Sequence, residues 1–491
     1  MRRVVIWIGL LQVVITLVSL CRAKVLAVLL SPSGVGVVGT IDQLMMTIVQ
    51  IGSLGLPVAA LKYMSQAHSE GERQFQASAV VFWRAGAVLA IAAALITFGV
   101  IRVQPQWLGR DLAEYRTLLE IATLSVPPLL LTIMTANVLA SGQRPIAALG
   151  FTLATTFGLT VAAIIGVALN GMTGLYIGTA IFGFAGVIAG AVLLKQIYHV
   201  RWLTPDRSVS PRLGAAVFGT SAGIYAATAV YSVSLFIVRY VVFDRLGAAP
   251  AGLYQSAMSI ALTVGAVLAL MSNLYLAPIL NRHAPAELRA QTADNFAERM
   301  ILWLLLAALP VVLFPQVVLQ ILYTSAFIPA AQALLLLVIW QCLFQVVYVY
   351  QQLLFAMDDT LSITVLCSAC FGGAAAMATV LVPIMGLAGA PAALIIGTAA
   401  YGVALAMRLR FRHRIAISRA VVLRVGWVLL MLLAAGLVTR DMTELTFSGM
   451  TTRLGIALAV FGSTWMAFLR NSPEIAALSL AYTNFRKARR R

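Results

Sequence analysis

The chain has 491 residues, 61% hydrophobic and only 10% charged, with a mean hydropathy of +0.96 and a formal net charge of +18. Soluble domains carry about 25% charged residues, so the composition excludes an ordinary globular enzyme and points to a chain solvated by lipid. The excess of 34 Lys and Arg over 16 Asp and Glu does not mark a nucleic-acid binder, because the cations are spread over alternate loops and the C-terminal tail.

Apolar runs of about 20 residues, the length a helix needs to cross hydrocarbon, follow one another almost throughout. They predict an all-α polytopic membrane protein with 14 spans. The first six cover 4–30, 36–63, 78–101, 117–140, 146–169 and 173–194. Six more cover 214–243, 251–280, 297–323, 330–357, 360–382 and 386–407, and a last pair covers 421–438 and 453–469. The runs are too long for barrel strands and lack their two-residue alternation. Met1-Arg2-Arg3 precedes an apolar run without a small-residue cleavage pattern, so it reads as a retained first span and not as a signal peptide.

This pattern divides the chain into a six-helix unit at 1–200, a second at 213–408, and two additional helices with a basic tail at 409–491. Lys62, Arg73, Arg144, the Lys195–Arg212 linker, Arg282, Arg289, Arg299 and Arg408–Arg419 fall on one side. The opposite loops are nearly uncharged, apart from those holding Arg102, Arg110, Arg116 and Arg440. The positive-inside rule then predicts that both termini are cytoplasmic. An even six-plus-six division gives a parallel repeat about an axis along the membrane normal. Lys24 precedes Gly36 by 12 residues and Arg239 precedes Gly252 by 13, which supports that repeat.

Within the spans the informative residues are polar. A cation at the centre of a membrane helix costs roughly 2.5–3.5 kcal/mol on insertion scales. Arg22, Lys24 and Arg239 are therefore candidates for a cationic cavity between the two units. Ser221, Tyr225, Thr228, Ser232 and Arg239 share one helical face, as do Gln341, Gln345, Tyr348 and Gln352. Such hydroxyls and amides either line a polar cavity or join helices to one another. Asp42 and Gln43 are further candidates; Asp42 would hold a coupling Na⁺ or H⁺, or pair with Arg22 or Lys24. On an ideal helix Arg22 lies about 60° from Ser19 on the polar side, whereas Lys24 is turned about 200° from Arg22. Cys367 and Cys370 form a CxxC inside an apolar helix and read as buried small hydrophobes. The four His lie in different loops, with no metal-ligand spacing.

Three stretches carry a family resemblance. Lys24-Val-Leu-Ala-Val-Leu-Leu-Ser-Pro32-Ser-Gly34-Val-Gly36 with Gln43-Leu44, and Lys62-Tyr63-Met64-Ser65-Gln66-Ala67-His68, resemble the N-terminal signature of Wzx-type polysaccharide flippases. Leu322-Tyr323-Thr324-Ser325-Ala326-Phe327, leading to Gln332 and Trp340-Gln341, resembles the same family. The resemblance is strongest over the first 70 or so residues. It implies the multidrug/oligosaccharidyl-lipid/polysaccharide (MOP) exporter fold, two six-helix lobes around a central cavity. It also implies transfer of undecaprenyl-pyrophosphate-linked oligosaccharide to the periplasmic leaflet, a polysaccharide polymerase and a chain-length regulator as partners, and no cofactor. Among the motif residues it favours Lys24 for the site. A lipid II flippase, which also carries an extra helix pair, and a multidrug exporter are the alternatives. A polymerase or ligase is disfavoured by the absence of a long outward loop.

Overall fold

The computed structural model describes residues 2–108, 111–200, 221–272, 276–280, 285–439 and 446–466. Arg110, Arg282, Arg440, the linker from 201 and the tail from 467 lie outside the described residues, as do the side chains of Lys62 and Ser221. Among the described residues the secondary structure is entirely helical.

The first half consists of α1 (Arg2–Gly52), α2 (Leu56–Glu70), α3 (Glu72–Val103), α4 (Arg116–Thr123), α5 (Val126–Ser141) and α6 (Pro145–Tyr198). The 51-residue α1 contains two spans, broken at Ser31 (φ 60°) immediately before Pro32. Pro32 lacks an N–H, so the ladder of hydrogen bonds is interrupted where the chain reverses across the bundle. Likewise α6 is two spans broken at Asn170 and Gly171. The second half is α7 (Ser221–Leu246), α8 (Ala248–Met271), α9 (Ala286–Leu313), α10 (Pro315–Leu322), α11 (Ala331–Ala356), α12 (Thr360–Met385) and α13 (Gly389–Arg412). The final pair is α14 (Arg419–Thr439) and α15 (Phe447–Thr464).

Three expected spans differ in detail. The span expected at 36–63 is interrupted after Gly52 and continues as α2 to Glu70; Leu54 (φ 48°) and Gly55 (φ 75°) form the joint. The span at 117–140 consists of two pieces meeting at 44° before Pro127 and Pro128, neither of which can donate to the preceding turn. The span at 297–323 begins instead at Ala286 and ends at Leu313, with Pro315 opening α10. Glu287 and Asp294 therefore lie within α9, although they fall before the expected span.

Most helices pack chiefly on their own half, as α3 on α5 and α5 on α6 in the first and α7 on α12 and α12 on α13 in the second, whereas α1 packs more on α8 than on α6. Their buried faces hold the large side chains Phe75 and Phe82 in the first half and Tyr254, Trp340, Phe371 and Tyr401 in the second. Leu169, Ile384 and Phe411 are exposed on the outer surface, as lipid-facing residues are. The halves meet mainly through α1, whose contacts reach α7, α8 and α10. Helix α14 docks on α9, where Arg424 Nη1 donates to Glu298 Oε2 at 2.5 Å. Arg453 of α15 lies over the Phe314 ring at 5.2 Å.

Candidate functional site

Because α1 folds back at Ser31, both of its arms face the second half. The backbones of the two halves touch where the second arm of α1 crosses the start of α8. A methyl group on Gly36 would strike the Ala248 carbonyl oxygen and come within 2.7 Å of Gly252 N. One on Gly252 would strike the Pro32 carbonyl oxygen and come within 3.0 Å of Gly36 N. Only glycine permits this approach on both sides, so the two glycines that suggested the repeat are in direct apposition.

Beside this crossing lies a cavity of about 230 Å³. The first arm of α1 contributes Ser19, Arg22 and Ala23, and the second arm contributes Gly39 and Asp42. Gln255 and Ser259 come from α8, and Tyr323 follows α10. Arg22 Nη2 stands 3.9 Å from Asp42 Oδ2, a charge contact that is too long for a hydrogen bond. The Tyr176 hydroxyl donates to Asp42 Oδ1 at 2.9 Å and also lies 3.2 Å from the Val38 carbonyl oxygen. Arg22 Nε and Gln255 Oε1 are buried without a hydrogen-bond partner among the described residues. The cavity thus offers a cation with unused donor capacity beside a carboxylate held in place from α6.

The three cations expected in one cavity separate in space, and only Arg22 lines it in this conformation. Lys24 donates to the carbonyl oxygens of Gln320, at 2.8 Å, and Tyr323. These acceptors lie at the C-terminal end of α10, where carbonyls lack helical partners and the helix dipole favours a cation. Arg239, only 6% exposed, donates from Nη1 to the Gly39 carbonyl oxygen at 2.6 Å, and its Nε has no partner among the described residues. The two repeat-related cations therefore reach across the interface in opposite directions, each onto backbone carbonyls of the other half. The helical wheel, which favoured Arg22 over Lys24 for the cavity, agrees with this placement.

The polar face of α7 runs along the same seam. The Thr47 and Ser232 hydroxyls are 3.1 Å apart, and the Tyr225 hydroxyl donates to the Ile51 carbonyl oxygen. Tyr225 and Ser232 thus join the halves here instead of lining open space; Thr228, on that face, is exposed. Gln341 and Gln345 are corrected more sharply. Both are buried against Gly265 of α8, with their Oε1 atoms unpartnered among the described residues. A methyl at Gly265 would lie 2.7 Å from Gln345 Nε2. They belong to the α8–α11 packing because periodicity shows a shared face but not which helix will cover it. Farther along α11, Gln352 Nε2 donates to the Tyr348 hydroxyl at 2.7 Å. Gln43, next to Asp42, is off the cavity wall; its carbonyl accepts from Thr47 at 2.8 Å.

Sequence reasoning missed Tyr176, Gln255, Ser259 and Tyr323 as site residues. Tyr323 had a signal, since it belongs to a stretch carrying the family resemblance, and that stretch meets Lys24 of the other in space. Gln255 follows Gly252 by three residues, almost one helical turn. Tyr176 is an isolated phenol in an apolar span, indistinguishable from a packing residue until its partner is known.

No family model matches the chain, and no curated protein matches it. Solved structures do match. The lipid II flippase MurJ in an inward-closed conformation is similar with a TM-score of 0.71 at 12% identity, over 95% of this chain and 99% of that one. A MOP-superfamily transporter from Pyrococcus furiosus gives 0.64 at 13% identity, over 88% and 95%. An inward-facing multidrug resistance transporter of the MATE family gives 0.62 at 15% identity, over 87% and 98%. The chain has the fold of MOP-superfamily transporters, a multi-pass membrane bundle of two six-helix lobes with an additional C-terminal pair.

Proposed function

We propose that this chain is a flippase for a polyprenyl-pyrophosphate-linked oligosaccharide, carrying it from the cytoplasmic to the periplasmic leaflet of a bacterial inner membrane. In this reading both termini are cytoplasmic. The observation that carries it is Arg22 in the interlobe cavity, 3.9 Å from Asp42 and, among the described residues, with a buried, unpartnered Nε. A guanidinium matches phosphate oxygens through a planar fork of donors. A pyrophosphate entering the cavity would compete with Asp42 for it. Separation of the lobes would release Lys24 and Arg239 from carbonyls onto the same anion, so cations that now hold the halves together would become ligands. The hydroxyls and amides of Ser19, Gln255, Ser259 and Tyr323 suit a saccharide.

The membrane potential favours the direction. Two negative charges moving outward across 100 mV gain about 4–5 kcal/mol. Asp42 is where a coupling proton or Na⁺ would act, since loss of its charge or its occupation by a cation changes its hold on Arg22. A polymerase and a chain-length regulator would take the product. The multidrug reading is weaker, because an organic-cation site requires acids and Asp42 is the single carboxylate lining this cavity among the described residues. Transport of lipid II is the second reading, favoured by the likeness to MurJ over 95% of the chain.

The test is transfer in proteoliposomes of a labelled polyprenyl-pyrophosphate oligosaccharide, measured by accessibility to an impermeant reagent, with lipid II as competitor. Wild-type transfer at least tenfold above Arg22→Ala, with equal insertion, supports the reading. Equal rates remove Arg22 from the mechanism, and preferential transfer of lipid II selects the second reading.

A further inference from the structure

The additional helix pair does not close fully onto the second lobe. Helix α14 packs on α9 and α11, and α13 packs on α11 and α12, while α13 and α14 make little contact with each other. Between them is a groove of about 650 Å³, with Leu343 and Tyr350 of α11 on its floor. The stripe from α13 runs through Ala399, Val403, Ala406 and Arg410, which are three or four residues apart and so share one face. Left empty, a space of this size forfeits the dispersion contacts of its lining.

Charge is concentrated at one end. Arg410 is exposed and has no hydrogen-bond or ion-pair partner among the described residues, unlike Arg408, which donates to Asp359 at 2.7 Å. Arg414, in the link to α14, and Arg419, at its start, are likewise exposed and unpaired among the described residues. The acids of this end are engaged with other groups. Asp359 takes Arg408 and His413, Asp294 takes the Tyr350 hydroxyl and the Ser418 amide, and Glu298 takes Arg424. Asp358 is exposed ahead of α12, and the groove lining contains no carboxylate. The result is an apolar channel with a cationic mouth.

Length and charge together select the occupant. The apolar part of the α13 stripe, from Ala399 to Met407, rises about 12 Å, and Arg410 follows one turn later. One leaflet of a 30 Å hydrocarbon core is about 15 Å deep. The channel therefore accommodates an acyl chain of ordinary length, whereas a long polyprenyl chain overruns it. Phe411, 80% exposed beside Arg410, offers apolar surface outside the groove for a second chain. A zwitterionic headgroup brings a cation alongside its phosphate, and neither the lining nor the three unpaired arginines provides a counter-charge for it. A headgroup with net negative charge meets only cations here, as basic pockets between membrane helices do when they bind anionic lipids.

We infer that the α13–α14 groove binds one anionic phospholipid, with its phosphate at Arg410 and one acyl chain lying along Ala406 and Val403 to Ala399. The lipid completes the packing between the second lobe and the additional helix pair, in the leaflet that meets the C-terminal end of α13. This binding site is independent of what the protein transports.

The test uses purified full-length protein in phosphatidylcholine nanodiscs containing a trace of phosphatidylglycerol with a photoactivatable group at the end of one acyl chain. Labelling should concentrate on α11 and α13 near Leu343 and Ala399. A phosphatidylcholine probe with the same chains should label there at least fivefold less. Ala406→Trp, which fills the groove, should lower phosphatidylglycerol labelling at least tenfold. Arg410→Gln should lower it at least threefold and leave phosphatidylcholine labelling unchanged. Arg410 is exposed, so this second variant tests the site whatever Ala406→Trp does to folding. Labelling spread evenly over the lipid-facing helices, equal labelling by the two probes, or an Arg410→Gln variant that labels like wild type overturns the inference. So does displacement of the probe by polyprenyl monophosphate at a lower concentration than by unlabelled phosphatidylglycerol, the mark of a long-chain site.

Discussion

Replacing Arg239 by Ala tests whether the cross-lobe cations set the balance between closed and open conformations. The hydrogen bond from Arg239 Nη1 to the Gly39 carbonyl oxygen, 2.6 Å long and buried, is lost in this variant. A hydrogen bond to a charged group contributes about 1.5–3 kcal/mol net, and each 1.4 kcal/mol is a factor of ten in population. The closed conformation should therefore lose roughly 10- to 150-fold in relative population. The contacts of Lys24 with Gln320 and Tyr323 remain, so the seam weakens without disappearing. The readout is disulfide formation between Thr47→Cys and Ser232→Cys, whose hydroxyl oxygens are 3.1 Å apart in the native seam. The exposed Cys21 is first replaced by Ser. Cross-linking should slow by at least tenfold in Arg239→Ala, and Lys24→Ala should produce a loss of the same kind. Unchanged cross-linking in a variant with wild-type melting behaviour would refute the latch role of Arg239.

Gly252→Val places side-chain atoms on the Pro32 carbonyl and should hold the lobes apart, abolishing the same cross-link while leaving each lobe folded; a wild-type cross-linking rate would show that the helices cross elsewhere. In the loop before α12, Asp359 accepts from Arg408 Nε at 2.7 Å and is 3.1 Å from His413 Nε2. Burial pushes its carboxyl upward, but hydrogen bonds from Arg408, Ser362 and His413, with the Arg408 charge, outweigh that and hold it well below the usual carboxylate range. A depressed folded-state value means that the stabilisation is fully present above the unfolded value of about 3.9 and is lost as pH falls through the folded one. Asp359→Asn should therefore lower the melting temperature at pH 7, with the difference from wild type narrowing as pH falls below about 4. A difference that stays constant between pH 7 and 3 would show that charge is not its source.

The membrane class and most span positions were legible because they depend on local quantities. Hydropathy summed over about 20 residues identifies a helix that lipid can solvate, and Pro32, Gly171 and Gly247 mark reversals that backbone geometry enforces. Spans expected at 330–357 and 421–438 appear as Ala331–Ala356 and Arg419–Thr439. The misplaced start of α9 has the same cause in reverse. Its first turns carry Glu287, Arg289 and Asp294, which hydropathy assigns to a loop although Asp294 accepts a hydrogen bond from Tyr350 of α11.

By itself, the sequence determined that this is a polytopic helical protein with a repeated cation-and-glycine arrangement, because periodicity and apolar length act within one segment. Which polar residues meet was decided only by tertiary structure. Arg22 and Lys24 are two residues apart yet belong to different environments, one in the cavity and one on the end of α10. Gln341 and Gln345 look like a cavity face and are interior packing, because Gly265 opposes them. A side chain's role in a bundle depends on the helix covering it, and that helix lies up to hundreds of residues away along the chain: Lys24 and Gln320 are 296 residues apart and hydrogen-bonded.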